Sequence, residues 1–389
     1  MPALPFPLRR LLRPLAALAA AATIAACDVA LPETSGQTGG PASSGQPVQV
    51  ALLVPRSDAS AGSIAVALEN ATRMAIADNP GSRIDLRVYD TAGNASTAAA
   101  RAQQAVDEGA DVILGPLYGE AANAAGLAVA DEGVNVLSFS NNPSIAGGNV
   151  FVLGTTFDNT AQRLLTYAAS QGRDSVVVVH SDDVPGQVGR VAAERAAARA
   201  GLNVIASEGY PLSVEGVAAT AQRARASAEA GADTVFITTD ATNAAMPMLL
   251  QMLPENGLAP AKVQYIGLTR WDVKPELYNL PGARGAWFAV PDRSRQSGFE
   301  GRYAQTYGSA PHPLAGLGYD GISAIAASAS RNGVPASALT RGSGFDGATG
   351  RFRLGADGSN QRALAVASIQ NGQVIIVDPA PSSLGRAGF

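Results

Sequence analysis

Asp111-Val112-Ile113-Leu114-Gly115-Pro116-Leu117-Tyr118, an alanine-rich stretch, and then Val134-Asn135-Val136-Leu137-Ser138-Phe139-Ser140-Asn141-Asn142 decide the architecture of this chain. Two short apolar runs, each ending in polar residues, flank a segment long enough for a helix. That spacing predicts a β-α-β unit whose two strands are parallel and end on the same side. In an open parallel sheet, ligands bind outside the carboxyl ends of the strands, where connections diverge. The polar ends of these runs are therefore the first place to look for a site.

The same rhythm extends outward. Strands are predicted at Val48–Val54, Ile84–Tyr89, Val112–Leu114 and Val134–Leu137, separated by helices of ten or more residues, with a further short strand at Val150–Leu153. A second series starts at Ser175–His180 and continues through Asn203–Ala206, Thr234–Thr238 and Val263–Gly267. Strands alternating with helices give an α/β chain with parallel sheets and right-handed crossovers. With 389 residues, two doubly wound lobes fit the usual allowance of roughly 150 residues per domain. Beyond Trp271 the pattern loosens into a strand at Ala286–Val290, helices at Phe299–Tyr307 and Pro313–Ser330, and three short strands. Asn371-Gly372 between the last two predicts a type I′ hairpin.

The N-terminus reads as a lipoprotein signal over residues 1–26. Arg9, Arg10 and Arg13 precede an apolar run from Leu15 to Ala26. The run is shorter than the about 20 residues a spanning helix needs. Ile24-Ala25-Ala26-Cys27 resembles a bacterial lipobox, so Cys27, the chain's single cysteine, is the expected lipidation site. Ordinary cleavage with a stray thiol is the plainer alternative. Asp28 resembles an enterobacterial signal for retention at the inner membrane, and the choice between inner and outer membrane stays open. Residues 27–47 read as the anchor and a flexible tether, and residues 380–389 as a tail.

Cleavage removes three of 28 basic residues and no acidic one, leaving 25 against 32 and a net charge of −7 rather than −4. That balance gives no electrostatic reason to bind nucleic acid. A lone cysteine excludes an internal disulfide.

Taken in order, these runs resemble the type 1 periplasmic-binding-protein fold, and within it the leucine/isoleucine/valine-receptor-like family. Tyr265–Asp272, Gly285–Ala289, Leu317–Asp320 and Gly344–Phe352 are similar to the penicillin-binding-protein activator branch. The resemblance covers Val48 to Pro379. It implies two lobes joined by a three-segment hinge, closing on a cleft. Lobe one is expected at 47–155 plus 285–335, and lobe two at 156–284 plus 336–379.

Each candidate cleft residue has a plainer reading beside it. Ser57 lies in the loop after the first strand. Pro116, Leu117 and Tyr118 open a helix whose amides can take an anion, or simply form a strand-to-helix turn. Ser138, Ser140, Asn141 and Asn142 can hydrogen-bond a ligand, or stabilise their own turn; in the receptor family the matching loop contacts the ligand. His180-Ser181-Asp182-Asp183 suggests a metal or a triad. His312 is the only other histidine and no nucleophile is marked, so Asp182 and Asp183 read as a polar loop at the cleft. Thr239, Asp240, Arg270 and Trp271 end two neighbouring strands. Arg270 can receive an anionic group bidentately or pair with Asp240. In amino-acid receptors an acidic residue near this place binds the ligand ammonium, and this chain has none there. Tyr319 can line the cleft, or be a buried tyrosine satisfied by a carboxylate.

No dinucleotide or Walker spacing occurs, so no cofactor is expected. Clustered histidine, lysine or cysteine is absent, which argues against an enzyme. The resemblance implies an envelope lipoprotein that regulates a bifunctional penicillin-binding protein. The alternative is a receptor delivering an amino-acid-like or other small polar ligand to an ABC permease. Under both, the membrane is met through the lipid anchor alone.

Overall fold

The structure, a computed structural model, describes residues 46–330 and 333–385. The expected signal peptide, Cys27 and the tether up to residue 45 lie outside the described residues. Strands β1 (Val48–Val54), β2 (Ile84–Asp90), β3 (Val112–Leu114), β4 (Asn135–Ser138) and β5 (Val150–Val152) form a parallel sheet ordered β2-β1-β3-β4-β5. Helices α1 (Gly62–Asp78), α2 (Ala95–Asp107) and α3 (Gly119–Ala128) connect the first four, and a loop with one 3-10 turn joins β4 to β5. The inner strands read as unbroken apolar runs because both faces are covered. Leu52 and Val54 meet α1, while Ala51 and Leu53 meet the opposite helical layer.

From the first sheet, α4 (Phe157–Ser170) leads to β6 (Ser175–Ser181), α5 (Val184–Ala200), β7 (Asn203–Tyr210) and α6 (Val214–Glu229). Then come β8 (Thr234–Ile237), α7 (Ala245–Glu255), β9 (Gln264–Gly267) and β10 (Trp287–Val290). With β14 (Ala365–Gln370) and β15 (Gln373–Asp378) they make a seven-stranded sheet ordered β15-β14-β10-β9-β8-β6-β7. Its parallel part repeats the strand order of the first sheet. At the β14–β15 turn, Asn371 and Gly372 have φ of 52° and 71°, both positive as a type I′ turn requires.

Helices α8 (Arg293–Tyr307) and α9 (Gly316–Ser328) return to the first lobe and pack on α1. A Cβ on Gly318 would lie 2.5 Å from the Leu68 carbonyl, so glycine sets how closely α9 approaches α1. Strands β11 (Phe345–Gly347), β12 (Gly350–Leu354) and β13 (Asn360–Arg362) form a small antiparallel sheet.

Three features differ from the sequence reading. Residues 285–290 were expected in lobe one, yet β10 pairs parallel with β9 and antiparallel with β14 in the second sheet. The chain crosses after β10, at Pro291-Asp292, where Asp292 caps α8. Residues 345–354 were expected in lobe two, yet Phe345, Phe352 and Leu354 belong to the lobe-one core. The crossings thus fall at 153–156, 291–292 and 363–364. Finally, α5 starts at Val184 rather than Gly189, because Asp183 caps it and Pro185 sits in its first turn.

Candidate functional site

The strand order reverses between β1 and β3 in the first sheet, and between β6 and β8 in the second. Those reversals open crevices at carboxyl strand ends. The crossings after β5 and β10 leave from the same carboxyl edges, so they bring the two crevices to one side of the hinge.

On lobe one, three loops build the edge. Ser57 is exposed after β1, and its N–H donates to Asp90 Oδ1 at 3.2 Å. Gly115, at φ 96°, passes so close to β1 that a Cβ would lie 2.1 Å from the Leu53 carbonyl. Pro116 and Leu117 are buried, and Tyr118 alone of the three presents its ring at the surface. Helix α3 begins there with no side-chain cap. Its first residue, Gly119, is flanked by Ser140 Oγ and Asn142 Nδ2, at 3.4 and 3.3 Å from where a Cβ would stand.

The polar wall at the end of β4 is partly turned inward. The Ser138 hydroxyl donates to the Pro116 carbonyl at 3.0 Å and accepts from the Ser140 N–H at 3.1 Å. Ser140 Oγ accepts from the Asn142 N–H, and Asn142 Oδ1 from Ser144. Ser138 is therefore a brace of the loop. Ser140, Asn141 and Asn142 border the α3 terminus. Thr155, exposed on the first crossing, joins this edge; its only sequence signal is a polar residue following a strand and glycine.

On lobe two, His180 is buried, its Nδ1 held at 2.9 Å from the Ser181 carbonyl. The Ser181 hydroxyl donates to Asp183, which caps α5 through the Gly186 N–H. The Ser181 hydroxyl and the Gly186 N–H hold the Asp183 carboxyl below its usual range. Asp182 and Asp240 are exposed, and Asp240 accepts from Thr242. Thr239 is buried in a 2.5 Å hydrogen bond with the Tyr210 hydroxyl. Burial pushes that phenol up, opposed by its bond to Thr239.

Three expected cleft residues are placed otherwise. Arg270 pairs bidentately with Asp272, at 3.0 and 2.6 Å, and not with Asp240. Its next-but-one neighbour reaches the guanidinium more easily than a residue on another strand. Trp271 is fully buried and stacks on Phe288 at 6.4 Å between centroids, so it belongs to the core. Tyr319 donates to Asp78, the last residue of α1, at 2.7 Å. Since α1 runs back from the crevice for 17 residues, about 25 Å at 1.5 Å per residue, Tyr319 lies at the opposite edge.

A cavity of about 520 Å³ opens away from the crevice, lined by Tyr278, Arg284, Ile369 and Asn371 among others at the amino end of β10. Among the described residues, no group of three or more His, Cys, Asp or Glu could hold a metal ion. No described helix is long and apolar enough to cross a membrane.

Residues 47–373 match the sequence profile of the periplasmic binding proteins, nearly the whole of this double-sheet unit. The chain belongs to the periplasmic binding protein family. A comparison with curated proteins finds no match. Among solved structures, it is similar to a putative branched-chain amino acid ABC transporter protein from Rhodospirillum rubrum. The TM-score is 0.71 at 20% identity, covering 85% of this chain and 100% of that one. It is also similar to an ABC transporter substrate-binding protein from Desulfitobacterium hafniense in complex with Leu, with TM-score 0.62, 21% identity and coverage of 85% and 100%. A third is the solute binding protein of an ABC transporter from Rhodopseudomonas palustris BisB5 in complex with 3,4-dihydroxybenzoic acid. There the TM-score is 0.59 at 18% identity, covering 88% and 99%. At these identities the likeness carries the fold, a two-lobed binding protein with parallel sheets.

Proposed function

We propose that this periplasmic binding protein is the substrate-binding receptor of an ABC transporter for a small polar ligand bearing a carboxylate. The observation that carries the reading is the uncapped start of α3 at the strand-order reversal, bordered by Ser140 and Asn142. Free N–H groups and the positive end of the helix dipole favour an anionic group there. Asp182 and Asp240 on the other lobe can meet a cationic or hydrogen-bond-donating end. Leucine and 3,4-dihydroxybenzoate, the ligands of two similar structures, share only a carboxylate of this kind. The chain acts by binding, faces the periplasm, and is tethered through lipidated Cys27.

A thermal-shift panel of amino acids, aliphatic carboxylates and aromatic carboxylates tests the reading. A ligand at 100 times its Kd adds about 2.7 kcal/mol to the native state. The expected result is a raised Tm with at least one carboxylate, reduced by Ser140→Ala and Asn142→Ala. No shift across the panel overturns it.

A second reading is supported by how many edge groups already serve their own loops, Ser138, Asp183 and Arg270 among them. In it, the lipoprotein regulates a peptidoglycan-synthesising penicillin-binding protein, and the crevice is an inherited edge. Faster glycan polymerisation on adding the protein to a bifunctional synthase is its test; an unchanged rate rejects it.

A further inference from the structure

The chain crosses between the lobes a fourth time, after its last strand. β15 ends in lobe two at Asp378, whose carboxylate pairs with Arg163 of α4. The same guanidinium donates to the Leu364 carbonyl at 2.7 Å and to the Pro379 carbonyl at 3.4 Å. Ala380 still packs against the lobe-two core. From Ser382 onward the backbone is held by lobe one. The Ser382 carbonyl accepts from Arg351 Nη1 at 3.1 Å, and the Gly385 carbonyl from Arg353 Nη1 at 2.9 Å. Leu384, between these two attachments, is buried.

Both arginines stand on β12 and alternate with Phe352 and Leu354, which enter the lobe-one core. Each is braced by a second partner. Arg351 donates to Asp346 at 3.1 and 3.3 Å, and Asp346 also meets Arg295 of α8 at 2.8 Å. Arg353 donates to Gln361 of β13 as well. The end of the chain is therefore tied to the framework of lobe one, while β15 is tied to α4 of lobe two.

The link between the two attachments is short and stiff. Three residue steps separate Pro379 from Ser382, at most about 11 Å of extended chain. Proline at 379 and 381 fixes φ at both positions and favours extended backbone at Asp378 and Ala380. Such a link transmits a pull between its ends, where a glycine-serine linker would absorb it. Its hydrogen bonds to lobe one lie at the surface. Water can replace them at small net cost, so this crossing can be undone without unfolding either lobe.

We propose that residues 379–385 are a strap that restrains the swing of one lobe against the other. While Leu384 is seated and the two arginines hold their carbonyls, the lobes keep one spacing. When the seat is lost, the hinge turns about the three remaining crossings alone. The inference concerns the hinge and stands whatever the crevice takes.

The test places ketone-reactive spin labels, through an unnatural amino acid, at Leu127 of lobe one and Leu212 of lobe two, both exposed, in the full chain. Pulsed electron resonance then reads the distribution of label-to-label distance. The natural protein should give one narrow distribution. Leu384→Ser and Arg353→Gln should each widen it by several ångström or add a second distance, with the cooperative melting transition retained. Leu384→Met, which keeps an apolar side chain in the seat, should stay narrow. A distribution that neither Leu384→Ser nor Arg353→Gln changes overturns the proposal, as does a natural protein already as broad as they are. So does an equal widening in Leu384→Met, or a widening found only where the melting transition is lost.

Discussion

Replacing Asp320 or Arg362 should loosen the protein at its hinge by several kcal/mol. Both side chains are sealed from water, at 0% and 3% exposure, and their carboxylate and guanidinium meet at 2.7 Å. Asp320 Oδ1 also accepts from the Ala348 N–H at 2.7 Å, and Oδ2 from the Thr349 hydroxyl at 3.0 Å. Arg362 Nε donates to the Leu153 carbonyl at 2.8 Å, Nη2 adds a second bond there, and the guanidinium lies over Phe352. One ion pair thus links α9, the β11–β12 turn, the end of β13 and the first crossing. A buried pair with every group satisfied contributes little net against its desolvation, but removing one member strands the other. That costs about 3–5 kcal/mol, a large part of a typical total of about 5–15 kcal/mol. We expect Asp320→Asn and Arg362→Met each to lose an amount of this order. The double variant should lose less than the sum by at least about 1 kcal/mol. Urea unfolding followed by circular dichroism and by tryptophan fluorescence measures this. Both tryptophans, Trp271 and Trp287, lie in lobe two, so fluorescence reports that lobe while dichroism reports both. The two transitions should coincide in the natural protein and separate in the single variants. Single losses below about 1 kcal/mol, or strict additivity, would refute the reasoning.

Gly115→Ala should destabilise by at least about 2 kcal/mol, since a Cβ would overlap the Leu53 carbonyl at a positive φ; the urea midpoint checks it. Asp183→Ala should cost about 1 kcal/mol through loss of the α5 cap. Because the folded Asp183 carboxyl titrates below its unfolded value, its stabilisation is complete above about pH 4 and disappears as pH falls through the lowered folded value. The difference in stability between Asp183→Ala and the natural protein should therefore shrink with acidification, and a constant difference would count against the assignment.

How much of this molecule can be read without its structure depends on the range of the interactions. Two parallel sheets, their covered strands and the type I′ turn at Asn371-Gly372 follow from local pattern and backbone preference. So does the placing of Ser57, Tyr118, Asn141, Asn142, Asp182 and Asp240 at polar strand ends. Membership of β10 in the second sheet is invisible locally, because Trp287–Val290 is equally apolar under either partner. The same limit hid the fates of two side chains, Trp271 in the core and Arg270 on Asp272; for Tyr319 a carboxylate partner was legible, but not that it is Asp78.

The stretch from Asp111 to Asn142 determined by itself that strands run parallel and present polar ends on one edge, because periodicity and turn chemistry are written residue by residue. Only the tertiary structure decided which of those polar groups remain available. Ser138 is consumed by the Pro116 carbonyl that folding brings to it and by the Ser140 N–H, and the start of α3 is left open because no side chain caps it.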